Sequence, residues 1–149
     1  PWGRPDMAAF KFTRAILTGE PIEIYNDGNM LRDFTFIEDL VEAVSRLSKT
    51  PPAQGNPAAS NDSLSLAAPF RVVNIGKGAP DRLMDFVEQV ERALGKTAKK
   101  NFLPMQTGEM FTTFADVSLL EALTGFRPST PLATGIPKFV SWYRQYHRV

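Results

Sequence analysis

The sequence predicts an α/β fold, and three observations on its 149 residues lead to that class. Segments with strand and helix patterns alternate along the chain, as in sheets covered by helices. Apolar residues recur at helical spacing in several stretches, whereas residues 70–75 form a nearly continuous apolar run, typical of a strand buried on both faces. Hydrophobic residues make up 43% of the chain, enough for the core of one ordinary domain.

The first third of the chain predicts helix, strand, turn and helix. Residues 8–17 form the first helix, which ends before Gly19. Pro21–Tyr25 alternates apolar and polar residues and predicts a strand. After a turn at residues 26–29, a short aromatic strand runs from Arg32 into a second helix, with Asp39 expected to cap it. The predicted apolar faces of the two helices are Ala9, Phe12, Thr13 and Ile16, and then Leu40, Val41, Val44 and Leu47.

The middle of the chain changes in character. Residues 50–69 are rich in Pro, Ala, Ser, Asn and Gly and contain one charge, Asp62, so we expect a flexible surface loop inserted into the domain rather than a domain boundary. Residues 70–75 then form the apolar strand, which Gly76-Lys77-Gly78 ends. We therefore expect the chain to resume a buried sheet directly after the loop.

The last half predicts further helices and short strands. Asp81 is the expected cap of a helix that Gly95 closes, and its apolar face is Leu83, Phe86, Val87, Val90 and Leu94. Short strands are predicted at residues 101–105 and 111–115, and a short helix at residues 117–123 that Gly125 ends. The last helix uses Leu132, Ile136, Phe139, Val140 and Tyr143.

Composition excludes several classes of function. The formal charge of +1 and the scattered basic residues give no sign of nucleic-acid binding. The chain has no cysteine and a single histidine, His147, so it offers no thiolate or multi-histidine metal site and no Ser-His-Asp arrangement. No apolar run approaches the length of a membrane span. We expect a cytoplasmic protein without a membrane segment.

Short motifs give little support for catalysis. Gly95-Lys96-Thr97 resembles the end of a phosphate-binding loop, but the motif's first glycine is replaced by Val90 and the triplet follows a helix instead of preceding one. Gly76-Lys77-Gly78 follows a predicted strand but lacks the third glycine of a dinucleotide fingerprint. No tyrosine has a lysine four residues later, and Glu88 and Glu91 are expected on a solvated helix face.

What remains is a set of polar donors near predicted loops, namely Arg4, Arg32, Arg82 and Gln106. Guanidinium groups present planar, permanently charged forks that suit phosphates and carboxylates. This inventory favours binding of an anion over chemistry on it. For Arg32 one alternative stays open, an ion pair with a nearby carboxylate at a strand end.

Several stretches together resemble the extended short-chain dehydrogenase/reductase family. They are residues 1–8 (Pro-Trp-Gly-Arg-Pro-Asp-Met-Ala), 11–16, 32–39 (Arg-Asp-Phe-Thr-Phe-Ile-Glu-Asp), 73–76, 82–86, 104–106 and 115–117, in the family's order. The Arg-Asp-Phe stretch is similar to that of nucleotide-sugar enzymes of the family in general. The opening residues narrow the resemblance to its glucuronate epimerases.

The resemblance implies the C-terminal, substrate-binding part of such a Rossmann-type enzyme, with some elements, such as residues 70–75, completing the dinucleotide-binding sheet. The family's NAD loop and catalytic Tyr-x-x-x-Lys are expected in an N-terminal half that is absent here, and the Pro-rich start fits a piece of a longer polypeptide. The implied reaction interconverts UDP-glucuronate and UDP-galacturonate by oxidation at C4, rotation and reduction. The piece alone would be inactive, and the whole enzyme is expected to be a homodimer that serves polysaccharide biosynthesis.

The resemblance also implies roles for single residues. Arg4 matches the arginine that reaches the uronate carboxylate, and Arg32 the arginine on the UDP diphosphate. Ile24 and Tyr25 fall where backbone groups meet the uracil. Gln106 falls where galactose epimerases place a second phosphate-binding arginine, and Arg82 is a further phosphate or ribose contact. Glu109 stands where the family usually has an aspartate, directly after Gly108.

Two rival interpretations remain. The first is another enzyme of the same family, such as a UDP-glucuronate decarboxylase or a different UDP-sugar epimerase or dehydratase, which the role of Arg4 would discriminate. The second is a non-enzymatic nucleotide-sugar binding module, because no catalytic residue is visible in these 149 residues. A glycine-rich βαβ segment and a Tyr-x-x-x-Lys upstream of Pro1 would decide for an enzyme.

Overall fold

The computed structural model describes residues 6–149 and shows five helices and four short strands within them. In chain order they are α1 (Ala8–Thr18), β1 (Pro21–Tyr25), β2 (Leu31–Arg32), α2 (Ile37–Leu47), β3 (Asp81–Arg82), α3 (Leu83–Leu94), β4 (Lys99–Leu103), α4 (Ser118–Thr124) and α5 (Leu132–His147). The chain divides into two compact units. The first unit is Pro1–Arg32, Asp81–Thr112 and Pro131–Val149, and the second unit is Asp33–Pro80 and Thr113–Thr130.

The first unit is a parallel strand pair with three helices. β1 pairs with β4 from Pro21 opposite Lys99 to Tyr25 opposite Leu103. Helix α3 packs against both α1 and α5 and supplies the centre of the core, since Phe86, Val87 and Val90 are almost completely buried. Five of five apolar positions predicted for α3 are buried, and the predicted strand at β1 has the predicted bounds. Helical and alternating periodicity therefore identify this unit correctly.

A second, smaller ladder lies in the same unit. β2 pairs antiparallel with β3, with Leu31 opposite Arg82 and Arg32 opposite Asp81. On the other side of Leu31, its N–H donates to the carbonyl of Phe111 at 3.0 Å, and a single parallel bridge joins Leu31 to Thr112. Residues 111–115, predicted as a strand, form only this bridge. Their neighbour β2 is two residues long, which leaves no room for a longer ladder.

The second unit contains helices α2 and α4, which pack on each other. Its central apolar cluster is Ala43, Val117 and Leu120, with Val73 and Ile75 packed against it as partly buried neighbours. Half of the predicted apolar face of α2 is wrong, because Val41 and Val44 are more than half exposed, whereas Leu47 packs against the cluster and Ala43 is the fully buried residue. Tertiary packing, rather than periodicity, decides which side of this helix is covered.

Several predicted details are corrected. Residues 70–75 are not a strand: no other segment of the described chain pairs with them, although their exposure still alternates as in an extended chain. The strand predicted at residues 101–105 lies two residues earlier, as β4. Neither Asp39 nor Asp81 caps a helix, since the N-cap residues of α2 and α3 are Phe36 and Arg82, without side-chain caps.

The predicted helix ends are confirmed. Gly19, Gly95 and Gly125 follow α1, α3 and α4 with positive φ angles. Gly95-Lys96-Thr97 is thus a helix terminus and not a phosphate loop. Among residues 6–149, no helix combines the length and the apolar character that crossing a membrane would require.

Candidate functional site

The parallel strand pair of the first unit brings two polar segments to one edge. β1 ends at Tyr25 and β4 at its partner Leu103, so the carboxyl ends of both strands meet. A short 3₁₀ turn leads from Tyr25 to β2 and Arg32, and the chain after Leu103 makes a turn in which the N–H of Glu109 donates to the carbonyl of Gln106 at 3.1 Å. Ligands of α/β proteins bind outside such carboxyl ends.

Arg32 is the most heavily bonded side chain at this edge. One terminal nitrogen donates to the carbonyls of Leu31 at 3.0 Å and Phe111 at 3.2 Å. The other donates to the carboxylate of Glu109 at 2.8 Å. The Arg32 side chain is 19% exposed and that of Glu109 40%. The carboxylate pairing that the sequence left open for Arg32 is therefore present, and Glu109 is its partner.

Tyr25 belongs to the same locality. Its hydroxyl donates to a carboxylate oxygen of Glu23 at 2.9 Å. The pKa of the Tyr25 hydroxyl is raised, chiefly by this hydrogen bond, with partial burial and the negative charges of Glu23 and Glu109 adding to the effect. Because Glu109 acts on Tyr25 and pairs with Arg32, one carboxylate links these two predicted site residues.

Ile24 offers a ligand only its main chain. Its side chain is completely buried, and the residue pairs with Phe102 of β4. This agrees with the expectation of a backbone contact at residues 24 and 25, since a strand edge presents N–H and C=O groups. The role of Ile24 stays a prediction, and the burial of its side chain leaves only backbone groups for a ligand.

The other predicted site residues differ in their placement. Gln106 is exposed in the turn that carries Glu109. Arg82 is exposed and lies opposite Leu31, whereas Arg32 lies opposite Asp81, so the two arginines project from opposite faces of the β2–β3 ladder. Arg82 and Arg32 are therefore not brought together. Arg4 lies outside the described residues.

The second unit contains a nest of backbone amides that is already filled. The carboxylate of Asp33 accepts the N–H groups of Lys77 at 3.1 Å, Gly78 at 2.9 Å and Ala115 at 3.0 Å. A Cβ on Gly76 would lie 2.5 Å from that of Ala115, so only glycine allows this close approach. Successive N–H groups of this kind bind anions, and here the anion is internal.

This arrangement does not fit NAD. In the part of the chain that the structure describes, Gly76-Lys77-Gly78 is the one loop that the sequence offered for a dinucleotide phosphate, and its amides are bonded to Asp33. Nor do residues 6–149 contain a group of three or more Asp, Glu or His side chains able to hold a metal ion.

Four carboxylates organise the molecule, and the sequence patterns assigned no role to Glu23 and Asp33 and the wrong role to Asp39 and Glu91. Glu23 holds the Tyr25 hydroxyl and Asp33 fills the amide nest. Asp39 accepts the N–H of Ser129 and both the N–H and the hydroxyl of Thr130 at 2.8 to 3.0 Å, while Glu91, expected in solvent, bonds Lys100 and the N–H of Ala98. None has a periodic signal. For Asp33, the position beside Arg32 in the Arg-Asp-Phe stretch is the sequence feature that could have indicated a role.

Comparison with known proteins identifies relatives of the whole chain. It is 56% identical over 151 residues to a probable UDP-glucuronate 4-epimerase of Rhizobium meliloti strain 1021, covering 99% of this chain and 44% of the relative. It is 49% identical to protein CapI of Staphylococcus aureus, covering 99% and 45%. A crystal structure of UDP-glucuronic acid 4-epimerase from Bacillus cereus, in complex with UDP-glucuronic acid and NAD, superimposes with a TM-score of 0.77 at 28% identity, covering 98% and 42%.

The chain thus spans less than half the length of these relatives. Their fold is the Rossmann-type α/β fold that the sequence resemblance implied, and the α/β class is confirmed. Residues 1–76, about half of the chain, match the model of one family. The protein belongs to the NAD dependent epimerase/dehydratase family.

Proposed function

We propose that this chain is the C-terminal, substrate-binding portion of an NAD-dependent epimerase that interconverts UDP-glucuronate and UDP-galacturonate. The similarity to epimerases of UDP-glucuronate over 98–99% of the chain supports the substrate class. In this proposal the chain binds and orients the UDP-sugar. Oxidation and reduction at C4 belong to an NAD-binding half outside it, so the chain alone is inactive.

The observation that carries the proposal is the position of Arg32 beyond the carboxyl ends of β1 and β4. A guanidinium with fixed geometry at this edge suits the diphosphate of a nucleotide. Backbone groups of Ile24 and Tyr25, on the last residues of β1, would take the uracil. Gln106, in the turn after β4, would add an amide donor toward the phosphates. These residues all lie in the first unit.

The sugar end of the ligand is assigned to Arg4. A carboxylate and a guanidinium form two parallel charge-assisted bonds, so this residue would select a uronate over a neutral hexose. The same pairing would hold the carboxylate in place and so protect a C4-keto intermediate from decarboxylation. Arg82 is the least supported of the proposed contacts, because it projects from the opposite face of the ladder from Arg32.

Exposed apolar surface supports a covering NAD-binding half. In the second unit, Ile37, Val41 and Val44 lie one turn apart on α2, and Phe70 and Val72 lie on the extended segment, each at least half exposed. Such a surface marks a binding face. The exposure of residues 70–75 alternates from one residue to the next, as it does along a strand of a sheet. We assign the surface to the dinucleotide-binding half and propose a cytoplasmic homodimer for the whole enzyme.

Calorimetric titration of the chain with UDP-glucuronate, UDP-glucose and UDP tests the proposal. We expect all three to bind, with UDP-glucuronate bound most tightly. R32A should weaken all three by roughly tenfold or more, the loss expected when charge-assisted hydrogen bonds are removed. R14A, an exposed arginine on α1, is the matched control. R4A should abolish the preference for the uronate and spare the binding of UDP.

Three outcomes would count against it. A folded chain that binds no UDP refutes the nucleotide-sugar site. Equal affinity for UDP-glucose and UDP-glucuronate points to another UDP-sugar enzyme of the family. Binding of UDP-glucuronate without any turnover, after the chain is joined to an NAD-binding half, favours the non-enzymatic module.

A further inference from the structure

The Arg32–Glu109 ion pair bears on how the proposed site selects its ligands. We infer that Glu109 is an internal competitor for anions at Arg32: its carboxylate occupies the position that a ligand phosphate needs and must be displaced before the phosphate can bind. The inference rests on the proposed role of Arg32. It makes Glu109 a residue that sets affinity and ligand choice rather than a direct ligand contact.

The hydrogen bonds of Arg32 show which partner can be exchanged. The two carbonyl acceptors, on Leu31 and Phe111, are main-chain atoms, and the N–H of Leu31 ties these two residues together at 3.0 Å. These carbonyls cannot move apart without breaking that hydrogen bond. Glu109 is a flexible side chain on a turn, 40% exposed. Its carboxylate is therefore the partner that a phosphate can replace.

The remaining contact of Arg32 is weak. The nitrogen that bonds Glu109 also approaches the sulfur of Met30 at 3.8 Å, and a thioether is a poor acceptor. A phosphate that replaced Glu109 could take both hydrogens of this nitrogen. A neutral ligand, in contrast, has no means to compete for it. Glu109 thus lowers the affinity of anionic ligands that reach Arg32 and leaves the affinity of uncharged ligands unchanged.

Energetics permit such an exchange. Partly exposed ion pairs contribute only about 0.2–1 kcal/mol, so a ligand with a diphosphate can displace Glu109. The cost of displacement lowers the apparent affinity of every phosphate ligand by the same factor, because the competing pair is the same. At the upper end of that range the factor is roughly three- to fivefold. Ligands that do not reach Arg32 pay no such cost.

The test compares the wild-type chain with E109Q, using inorganic pyrophosphate, UDP and uridine as probes in calorimetric titrations. We expect E109Q to bind pyrophosphate and UDP roughly three- to fivefold more tightly and uridine with unchanged affinity. E109D, with a shorter arm and a looser pair, should give a smaller gain. The matched control is E20Q, which removes an equal charge from an exposed position just before the opposite end of β1.

Uridine separates this role from a structural one, because a general change in the site would alter its binding as well. Equal gains for uridine and UDP, or no gain for pyrophosphate in E109Q, overturn the inference. UDP binding to the wild type without a gain in E109Q refutes the competitor and leaves the proposed function standing. If E109Q binds pyrophosphate more tightly than the wild type but UDP binds no more tightly than pyrophosphate, the UDP-sugar site is refuted and the role of Glu109 as a competitor stands. Binding of no probe by either chain overturns both.

Discussion

The two units achieve their structure by different means. Large apolar side chains form the interior of the first unit, including Phe12, Ile16, Ile22, Ile24, Phe86, Val87, Val90, Leu94, Ile136 and Val140. The second unit buries fewer apolar side chains, among them Ala43, Val117, Leu119 and Leu120, and none of its buried residues is aromatic. Carboxylates hold the loops of this unit instead of a large apolar interior. Asp33, Asp39 and Asp62 together accept backbone N–H groups from seven residues, namely Lys77, Gly78, Ala115, Ser129, Thr130, Ala58 and Leu64.

The difference shows what each unit depends on. Burial of apolar area is non-directional and tolerates small shifts, whereas a carboxylate that accepts several N–H groups fixes specific loops at specific distances. The first unit should therefore lose stability in proportion to the volume removed from its core. The second unit should fail when single acidic groups are removed or protonated. Three experiments test this contrast.

The largest effect is expected in the first unit. Phe86 is 1% exposed and contacts the ring of Phe12, with 6.1 Å between the ring centroids. F86A should lower the free energy of unfolding by about 3–5 kcal/mol, because the cavity adds to the lost transfer energy. F114A, which truncates a 64% exposed ring, should change it by no more than about 0.5 kcal/mol. Urea denaturation followed by circular dichroism measures both, and equal losses would contradict the contrast.

A smaller effect is expected from Asp33. D33A removes the common acceptor of three N–H groups and leaves the amides of Lys77, Gly78 and Ala115 without it. We expect a loss of about 2–3 kcal/mol, the cost of unsatisfied, partly buried donors. The matched control is D27N, an exposed aspartate in the turn after β1, which should be nearly neutral.

Amide exchange locates the effect of D33A. Exchange should accelerate at residues 77, 78 and 115 and stay unchanged across α3. If α3 also loses protection at the same free energy, the second unit does not depend separately on this carboxylate.

The same contrast explains how much could be predicted from the sequence. Periodicity identifies β1 and α3 because their large apolar residues alternate or recur as burial requires. It fails for α2, where the small Ala43 is buried and Val41 is exposed. It also fails for residues 70–75, whose apolar run has no partner strand among the described residues. Strand pairing depends on distant segments, which a local pattern cannot contain.

The candidate site shows the same limit. The resemblance to the family predicts roles for Tyr25 and Arg32, and in the structure Arg32 pairs with Glu109. The pairing of Arg32 with Glu109 spans 77 residues of sequence, and no local rule links the two. The sequence leaves an ion pair of Arg32 open as an alternative but does not indicate its partner. Side-chain contacts between separate turns depend on the tertiary structure, so a local sequence pattern cannot predict them.

The smallest effect is expected in the loop of residues 50–69. The Asp62 side chain is 1% exposed and accepts two hydrogen bonds of 2.8 Å from the Arg71 guanidinium. It also accepts the N–H groups of Ala58 at 2.7 Å and Leu64 at 2.9 Å. The Arg71 hydrogen bonds, with those two amides, hold the pKa of the Asp62 carboxyl below its usual range. The stabilisation is thus present at and above the ordinary pKa of about 4 and is lost as the pH falls through the lower, folded-state pKa.

Amide exchange across a series of pH values, corrected for intrinsic rates, should therefore show residues 58 and 64 losing protection in acid before the amides of α3 do. D62N should lack this protection already at neutral pH and should show no further acid step, because the group that titrates is gone. If the amides of residues 58 and 64 instead keep their protection at every pH or in D62N, then other contacts hold the loop and carboxylates do not order this part of the second unit.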